Sequence, residues 1–268
     1  MGDDNYIYLK LYLDMEYADK FLSDSLAPFV QNLYKSGRLD KFFFIRYADP
    51  NFHIRLRLRA KDRVSYTEFL IDIQKWANMV FRNKEVKNYA FTIYEREVER
   101  YGGEQCIGLI ESLFSADSAL AIKLLDYKKQ LDIQTVDSLC AWIFAQTVLD
   151  LTPAGKLEDV IFIPPISKDA HHRYRLIKNR ISSLINSNLT SSNANDEAII
   201  QSVKERQVIC LRLKKQFELL PLTNQISDIV RSIVHMTANR LSGNRIWEQE
   251  VTAYAMKTLK TYIFKSKN

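Results

Sequence analysis

The sequence lacks most of the signatures that announce a reaction or a compartment. It has three cysteines, Cys106, Cys140 and Cys210, an odd number with no CxxC pair. That argues against a disulfide framework or a structural zinc site and fits reduced thiols in the cytoplasm. No apolar run approaches the ~18 residues a membrane helix requires, so no membrane span is expected. The start, MGDDNYIYLKLYL, is acidic and then alternates apolar with polar residues. A secretory signal would instead open on basic residues and end at a small-residue cleavage site. A phosphate loop, GxGxxG, HExxH and GxSxG are all missing. Without them a common cofactor enzyme has no support, and neither a cofactor nor a metal is expected.

What remains is a chain with ample material for a core. Of its 268 residues, 47% are hydrophobic and 26% charged, as in ordinary globular proteins. One domain over 1–268 is expected. Lysine and arginine number 38 against 32 acids, giving a formal charge of +6. So mild an excess favours an anionic ligand or partner without pointing to nucleic acid, and no direct nucleic-acid binding is expected.

Periodicity divides the chain into a sheet-containing half, 1–103, and a helical half, 104–268. Strands are expected at Tyr6–Leu13, Phe42–Tyr47, Phe52–Ala60 and Asn88–Arg100, with helices at Asp14–Ser36 and Tyr66–Phe81. Asp49-Pro50-Asn51 supplies a tight turn that makes the second and third strands antiparallel, and Gly102-Gly103 ends the fourth. The order β-α-β-β-α-β is the split-βαβ arrangement, with the first and third strands central and the fourth beside the first. Helices are then expected at Glu104–Tyr127, Ile133–Leu149, Lys168–Asn186, Asp196–Leu219, Gln225–Leu241 and Arg245–Phe264. Pro164-Pro165 marks a break, and the polar run Ser187–Asn195 reads as a loop. The fold class is α+β.

The third strand carries the most chemistry. His53, Arg55, Arg57 and Arg59 fall on one face, while Ile54, Leu56 and Leu58 fall on the other, toward the core. Three cations about 7 Å apart repel and need carboxylates or an anionic ligand. A solvated face paired with acids of a neighbouring strand satisfies the pattern equally well. In the fourth strand, Tyr94, Arg96, Val98 and Arg100 would share one face, and Glu95, Glu97 and Glu99 the other. His235 lies near the end of a helix with Asn239 four residues on, so both share a face. The alternative for His235 is a histidine satisfied by a neighbouring carbonyl. His171-His172 sits in a polar stretch and reads as solvated.

Three motifs then occur in order: FFIRYADPNFHIRLRLR, YEREVERYGG with its trailing LFSADS, and HMTANRLSGN. Together, over about Tyr6 to Phe264, they resemble the C-terminal elimination domain of lantibiotic dehydratases, also marked as the thiopeptide-type bacteriocin biosynthesis domain. The resemblance implies a free-standing, split form. In that arrangement a separate dehydratase protein uses glutamyl-tRNA to glutamylate serine or threonine of a leader-core precursor peptide. The elimination domain, a lyase, removes the Cα proton and expels glutamate, leaving dehydroalanine or dehydrobutyrine. Carried over motif by motif, the implied catalytic residues are His235, Arg55, Arg57 and Arg96, with Glu97 orienting an arginine or sharing the base role. Arg46, Arg59, Asn239 and Arg240, from the same motifs, are expected to bind substrate. The resemblance leaves two alternatives open: a thiopeptide pyridine synthase, performing a formal 4+2 cycloaddition with leader-peptide loss, and a non-catalytic module that docks the precursor.

Overall fold

A computed structural model describes residues 5–186, 194–220 and 223–267. The chain forms two compact units. One takes the chain up to Glu97 together with Phe114–Asp126; the other takes Val98–Leu113 and the chain from Tyr127 onward. The expected loop at 187–195 falls outside the described residues except for Ala194 and Asn195, which open a helix.

In the first unit, β1 (Tyr6–Tyr12), β2 (Leu39–Ala48), β3 (Phe52–Ala60) and β4 (Asn88–Thr92) form a sheet in the order β2-β3-β1-β4. Every neighbouring pair is antiparallel. The strict alternation of β3 fixes its register, because a one-residue slip would drive arginines into the core. Ile54, Leu56 and Leu58 are fully buried beside Leu9 and Leu11 of β1 and Phe44 of β2. This face meets two helical layers. The first runs from a 3₁₀ turn, Met15–Tyr17, through α1 (Ala18–Phe21) and α2 (Ala27–Lys35); the second is α3 (Tyr66–Arg82). The layers join where Trp76 stacks on Phe29 at 4.3 Å and meets Phe21 at 6.0 Å.

Two expected elements differ. The continuous helix 14–36 is interrupted by a π turn at Leu22–Leu26, where Ala27 N–H bonds to the Leu22 carbonyl. Pro28 follows immediately, and the wider turn relieves the clash between its ring and the preceding carbonyls. The fourth strand ends at Thr92 instead of Arg100. Beyond it, closely spaced glutamates are poor strand formers. Tyr94 leaves the edge and packs its ring on Tyr6, Tyr8 and Phe43.

The helix α4 (Glu104–Lys128) contributes to both units. In the first it covers the outer edge of β2: Phe44 N–H donates to Ser118 Oγ at 3.1 Å, and Phe42 N–H to Ser115 Oγ at 3.3 Å. Side-chain acceptors thus terminate an edge that would otherwise template further pairing. The second unit is built around α5 (Ile133–Leu151), which is buried on nearly all sides, as expected of a helix apolar all round. Around it lie α7 (Lys168–Asn186), α8 (Ala194–Phe217), α9 (Thr223–Leu241) and α10 (Arg245–Lys267); the short α6 (Leu157–Val160) packs on α9. No helix of the described residues is long and apolar enough to cross a membrane.

Ser118 is fully buried and bridges the Phe44 N–H to the Phe114 carbonyl. Ser118→Ala leaves that N–H without its acceptor, so a loss of about 1–3 kcal/mol is expected in urea unfolding. Ser115→Ala, at a longer and less buried bond, should cost less. Equal effects would refute the edge-capping role.

Candidate functional site

The sheet face opposite the core is a row-by-row array of cations and aromatic rings. Arg59 lies between Tyr6 and Lys41, Arg57 between Tyr8 and Phe43, Arg55 between Lys10 and Ile45, and His53 between Tyr12 and Tyr47. Each arginine is held differently. Arg59 donates to Asp40 at 2.5 Å, and Asp40 is the extra residue at a register shift in β2, which turns its carboxylate toward β3. Arg55 stacks over Tyr47 at 3.3 Å, and its Nε donates to His53 Nε2 at 3.1 Å. Because Nε2 accepts, the His53 proton sits on Nδ1, which donates to the Asn51 carbonyl at 2.8 Å.

Arg57 has no such partner. Its guanidinium lies 4.6 Å from the Tyr8 ring centre, 5.0 Å from Tyr94 and 5.5 Å from Phe43. Its Nε is buried and has no hydrogen-bond partner among the described residues. Burial pushes the guanidinium below its ordinary pKa; Tyr8, Tyr94 and Glu97 counter this, and Arg55 adds to it. Aromatic faces stabilise a cation but accept no conventional hydrogen bond, so the N–H donors of Arg57 suit an oxyanion.

The segment after β4 brings a second motif to this face. Tyr94 closes over Arg57, and Glu97 is close enough to favour its charge. Arg96 is half-buried in the same segment, while Glu97 is exposed. Arg46 goes elsewhere. It pairs in register with Ile54, on the core face, where it is 6% exposed and bound to Asp19 at 2.6 Å. The expectation that Arg46 binds substrate with the β3 arginines is therefore corrected: β2 alternation sends it to the other side.

His235, Asn239 and Arg240 belong to α9, in the second unit. Arg240 is 1% exposed and donates to the Met236 carbonyl at 2.7 Å, a buried structural role that corrects its assignment to substrate binding. Asn239 is half-buried. His235 is exposed, and its partner is a carboxylate, not a carbonyl: Nδ1 lies 2.6 Å from Glu248 Oε1. A carboxylate oxygen accepts, so Nδ1 is the donor in this pair and Nε2 is the ring nitrogen turned away from it.

The motif's remaining residues build this pair. Gly243 adopts φ +70° just past α9, a conformation natural to glycine at a helix stop. Asn244 Oδ1 accepts from Ile246 and Trp247 N–H at 2.9 and 3.1 Å and so caps α10. The resulting hairpin lays the first turn of α10 against α9, with Trp247 Nε1 bonded to Asp137 at 2.8 Å. Glu248 is a functional candidate the sequence reading missed, as are the ring faces of Tyr8, Phe43 and Tyr47. Cysteine chemistry is disfavoured: all three thiols are buried and outside any disulfide, and burial pushes Cys140 up to about 12.

The first unit is thus an α+β unit with a cationic, aromatic-lined sheet face, and the second a helical unit that presents a histidine–carboxylate pair. Residues 7–262 match the family model for the lantibiotic biosynthesis dehydratase C-terminal region, and the chain belongs to that family. It is 27% identical over 245 residues to the epidermin biosynthesis protein EpiB of Staphylococcus epidermidis, covering 88% of this chain and 24% of EpiB. The chain thus spans about a quarter of the length of that relative. Its fold is that of two solved structures. The tRNA-dependent lantibiotic dehydratase MibB from Microbispora sp. 107891 matches at TM-score 0.82 and 21% identity, over 100% of this chain and 29% of MibB. The pyridine synthase TbtD from thiomuracin biosynthesis matches at TM-score 0.65 and 11% identity, over 96% of this chain and 98% of TbtD.

His53 offers a direct check of the sheet face. Burial, opposed by its bond to Asn51, holds its pKa below the ordinary value, with Arg55 adding to the effect. Nitrogen-15 NMR should show a neutral Nδ1–H ring titrating below the free value of about 6.5. The sign follows: a depressed histidine stabilises the fold fully above pH ~6.5, and that contribution is lost as pH falls through the folded value. A His53 pKa above the free value would refute this environment.

Proposed function

We propose that the chain eliminates glutamate from glutamylated serine or threonine of a ribosomally made precursor peptide. The observation that carries this reading is Arg57: a guanidinium in an aromatic cage, its buried Nε unpartnered among the described residues, between two further arginines. The reaction breaks Cα–H and Cβ–O bonds, forms the Cα=Cβ double bond, and releases a carboxylate. Arg55, Arg57 and Arg96 hold the glutamyl group and stabilise that leaving carboxylate as charge develops. His235 moves the proton through Nε2, with Glu248 at Nδ1 orienting the ring and fixing its tautomer. Arg59 and Glu97 set the field around the central arginines, and Asn239 contributes a polar contact on the histidine face. The ester itself comes from a separate protein that uses glutamyl-tRNA.

A glutamylated precursor peptide tests this by mass spectrometry. The expected product has lost glutamate and gained one double bond per site. Arg57→Ala should slow release by about 10²–10³-fold, and His235→Ala by about 10²–10⁴-fold, with thermal melts near the wild type. Glu248→Gln should cost roughly 10–100-fold, as the loss of an orienting partner does. Release of an intact leader peptide from a multiply dehydrated substrate would instead establish pyridine synthesis, and an unchanged peptide would favour a docking module. The chain alone should yield no dehydration from unmodified precursor and glutamyl-tRNA; dehydration by the isolated chain would overturn the need for a partner.

A further inference from the structure

We propose that Arg231, on α9 one turn before His235, is a second carboxylate-binding residue, taking the side-chain carboxylate of the glutamyl group. The inference rests on the elimination reading above and adds a binding residue to it. Arg231, His235 and Asn239 stand at four-residue intervals on α9 and form one stripe, with neighbouring Cβ atoms roughly 5–6 Å apart. Arg231 is half-buried, and its Nε is buried without a hydrogen-bond partner among the described residues.

The surroundings hold the guanidinium without satisfying it. It lies 4.9 Å from the centre of the Phe162 ring. Phe162 belongs to the non-helical segment after α6, whose Ile161 and Ile163 line a separate cavity of about 570 Å³ with Ile263 and Phe264. Alternation along that segment therefore delivers one aromatic ring to Arg231. A ring face stabilises a guanidinium and orients its plane, but it leaves the N–H donors free for an oxyanion. Acids are close in sequence: Asp228 is three residues back on α9, yet it is exposed and forms no ion pair with Arg231 among the described residues. A planar fork one turn from a proton-transferring histidine suits a group that binds near, but outside, the bonds being broken. The side-chain carboxylate of a glutamyl ester is such a group.

The test is a titration of nitrogen-15-arginine protein, reading the Nε–Hε resonance assigned to Arg231 by its loss in Arg231→Lys. L-Glutamate should move it saturably, whereas L-glutamine, which lacks only the side-chain carboxylate, should not. In the elimination assay, Arg231→Gln should raise KM for glutamylated peptide by roughly 10–100-fold, the worth of a charge-assisted bond, with kcat nearly unchanged. Arg231→Lys should fall between. A resonance unmoved by glutamate, or moved equally by glutamine, overturns the proposal, as does a KM within twofold of wild type. Failure of the wild-type protein to release glutamate would sink the elimination reading separately, because the titration reads carboxylate binding without turnover.

Discussion

Three guanidinium groups alternate along β3 at about 7 Å spacing. At an effective dielectric of 20, each adjacent pair costs about 2 kcal/mol of repulsion. The outermost is neutralised by Asp40. The inner two are held by rings, Tyr47 under Arg55 and Tyr8, Phe43 and Tyr94 around Arg57. This constraint explains much of the first unit. β1 and β2 must present aromatic residues on the face where a solvated sheet would carry small polar ones. The segment after β4 must leave the sheet edge, because only then can Tyr94 close the cage. His53 must stay neutral, since a protonated ring would add another charge beside Arg55 and lose its role as acceptor.

Caging a cation with rings, where a carboxylate would serve for stability alone, keeps its hydrogen-bonding capacity available. A structural ion pair would spend the N–H donors of Arg57 on the protein itself. The rings bring stabilisation of roughly 0.5–2 kcal/mol each at desolvated sites, without competing with a ligand for those donors. In the second unit a helix hairpin positions the His235–Glu248 pair. Gly243 stops α9, Asn244 starts α10, and the first-turn acid Glu248 reaches back to His235. Glu248 stands in the first turn of α10, at the helix end whose dipole suits a carboxylate, and its Oε1 meets the imidazole there.

Most of the fold was legible in the sequence because burial writes itself as period. The alternation of FHIRLRLRA fixes both faces of β3, and the split-βαβ order gives the observed sheet order. The end of β4 was not legible. Alternation runs on through Tyr94-Glu95-Arg96-Glu97, but pairing needs a neighbour, and Tyr94 gains more by covering Arg57 than by continuing an edge. Arg46 was grouped with the substrate-binding residues by its motif alone, and the strand's parity aligns it with Ile54, not with Arg55. Glu248 was missed because thirteen residues of separation carry no periodic signal. The glycine and asparagine after α9 were a readable hairpin signal, and folding α10 back on α9 would have brought an early acid to the histidine.

Burial alone does not separate structural arginines from those suited to ligands. Arg46, Arg206 and Arg240 are 6%, 2% and 1% exposed. Each binds an internal acceptor: Asp19, the Thr147 hydroxyl and the Met236 carbonyl. Arg57 and Arg231 are less completely enclosed, yet each has a buried Nε without an acceptor among the described residues and a guanidinium set against aromatic carbon. A fold gains nothing by desolvating a donor it does not satisfy, and that cost is tolerated where a ligand supplies the missing oxygen. Among the described residues, Arg57 on the sheet and Arg231 on α9 are the two arginines whose buried Nε meets no acceptor.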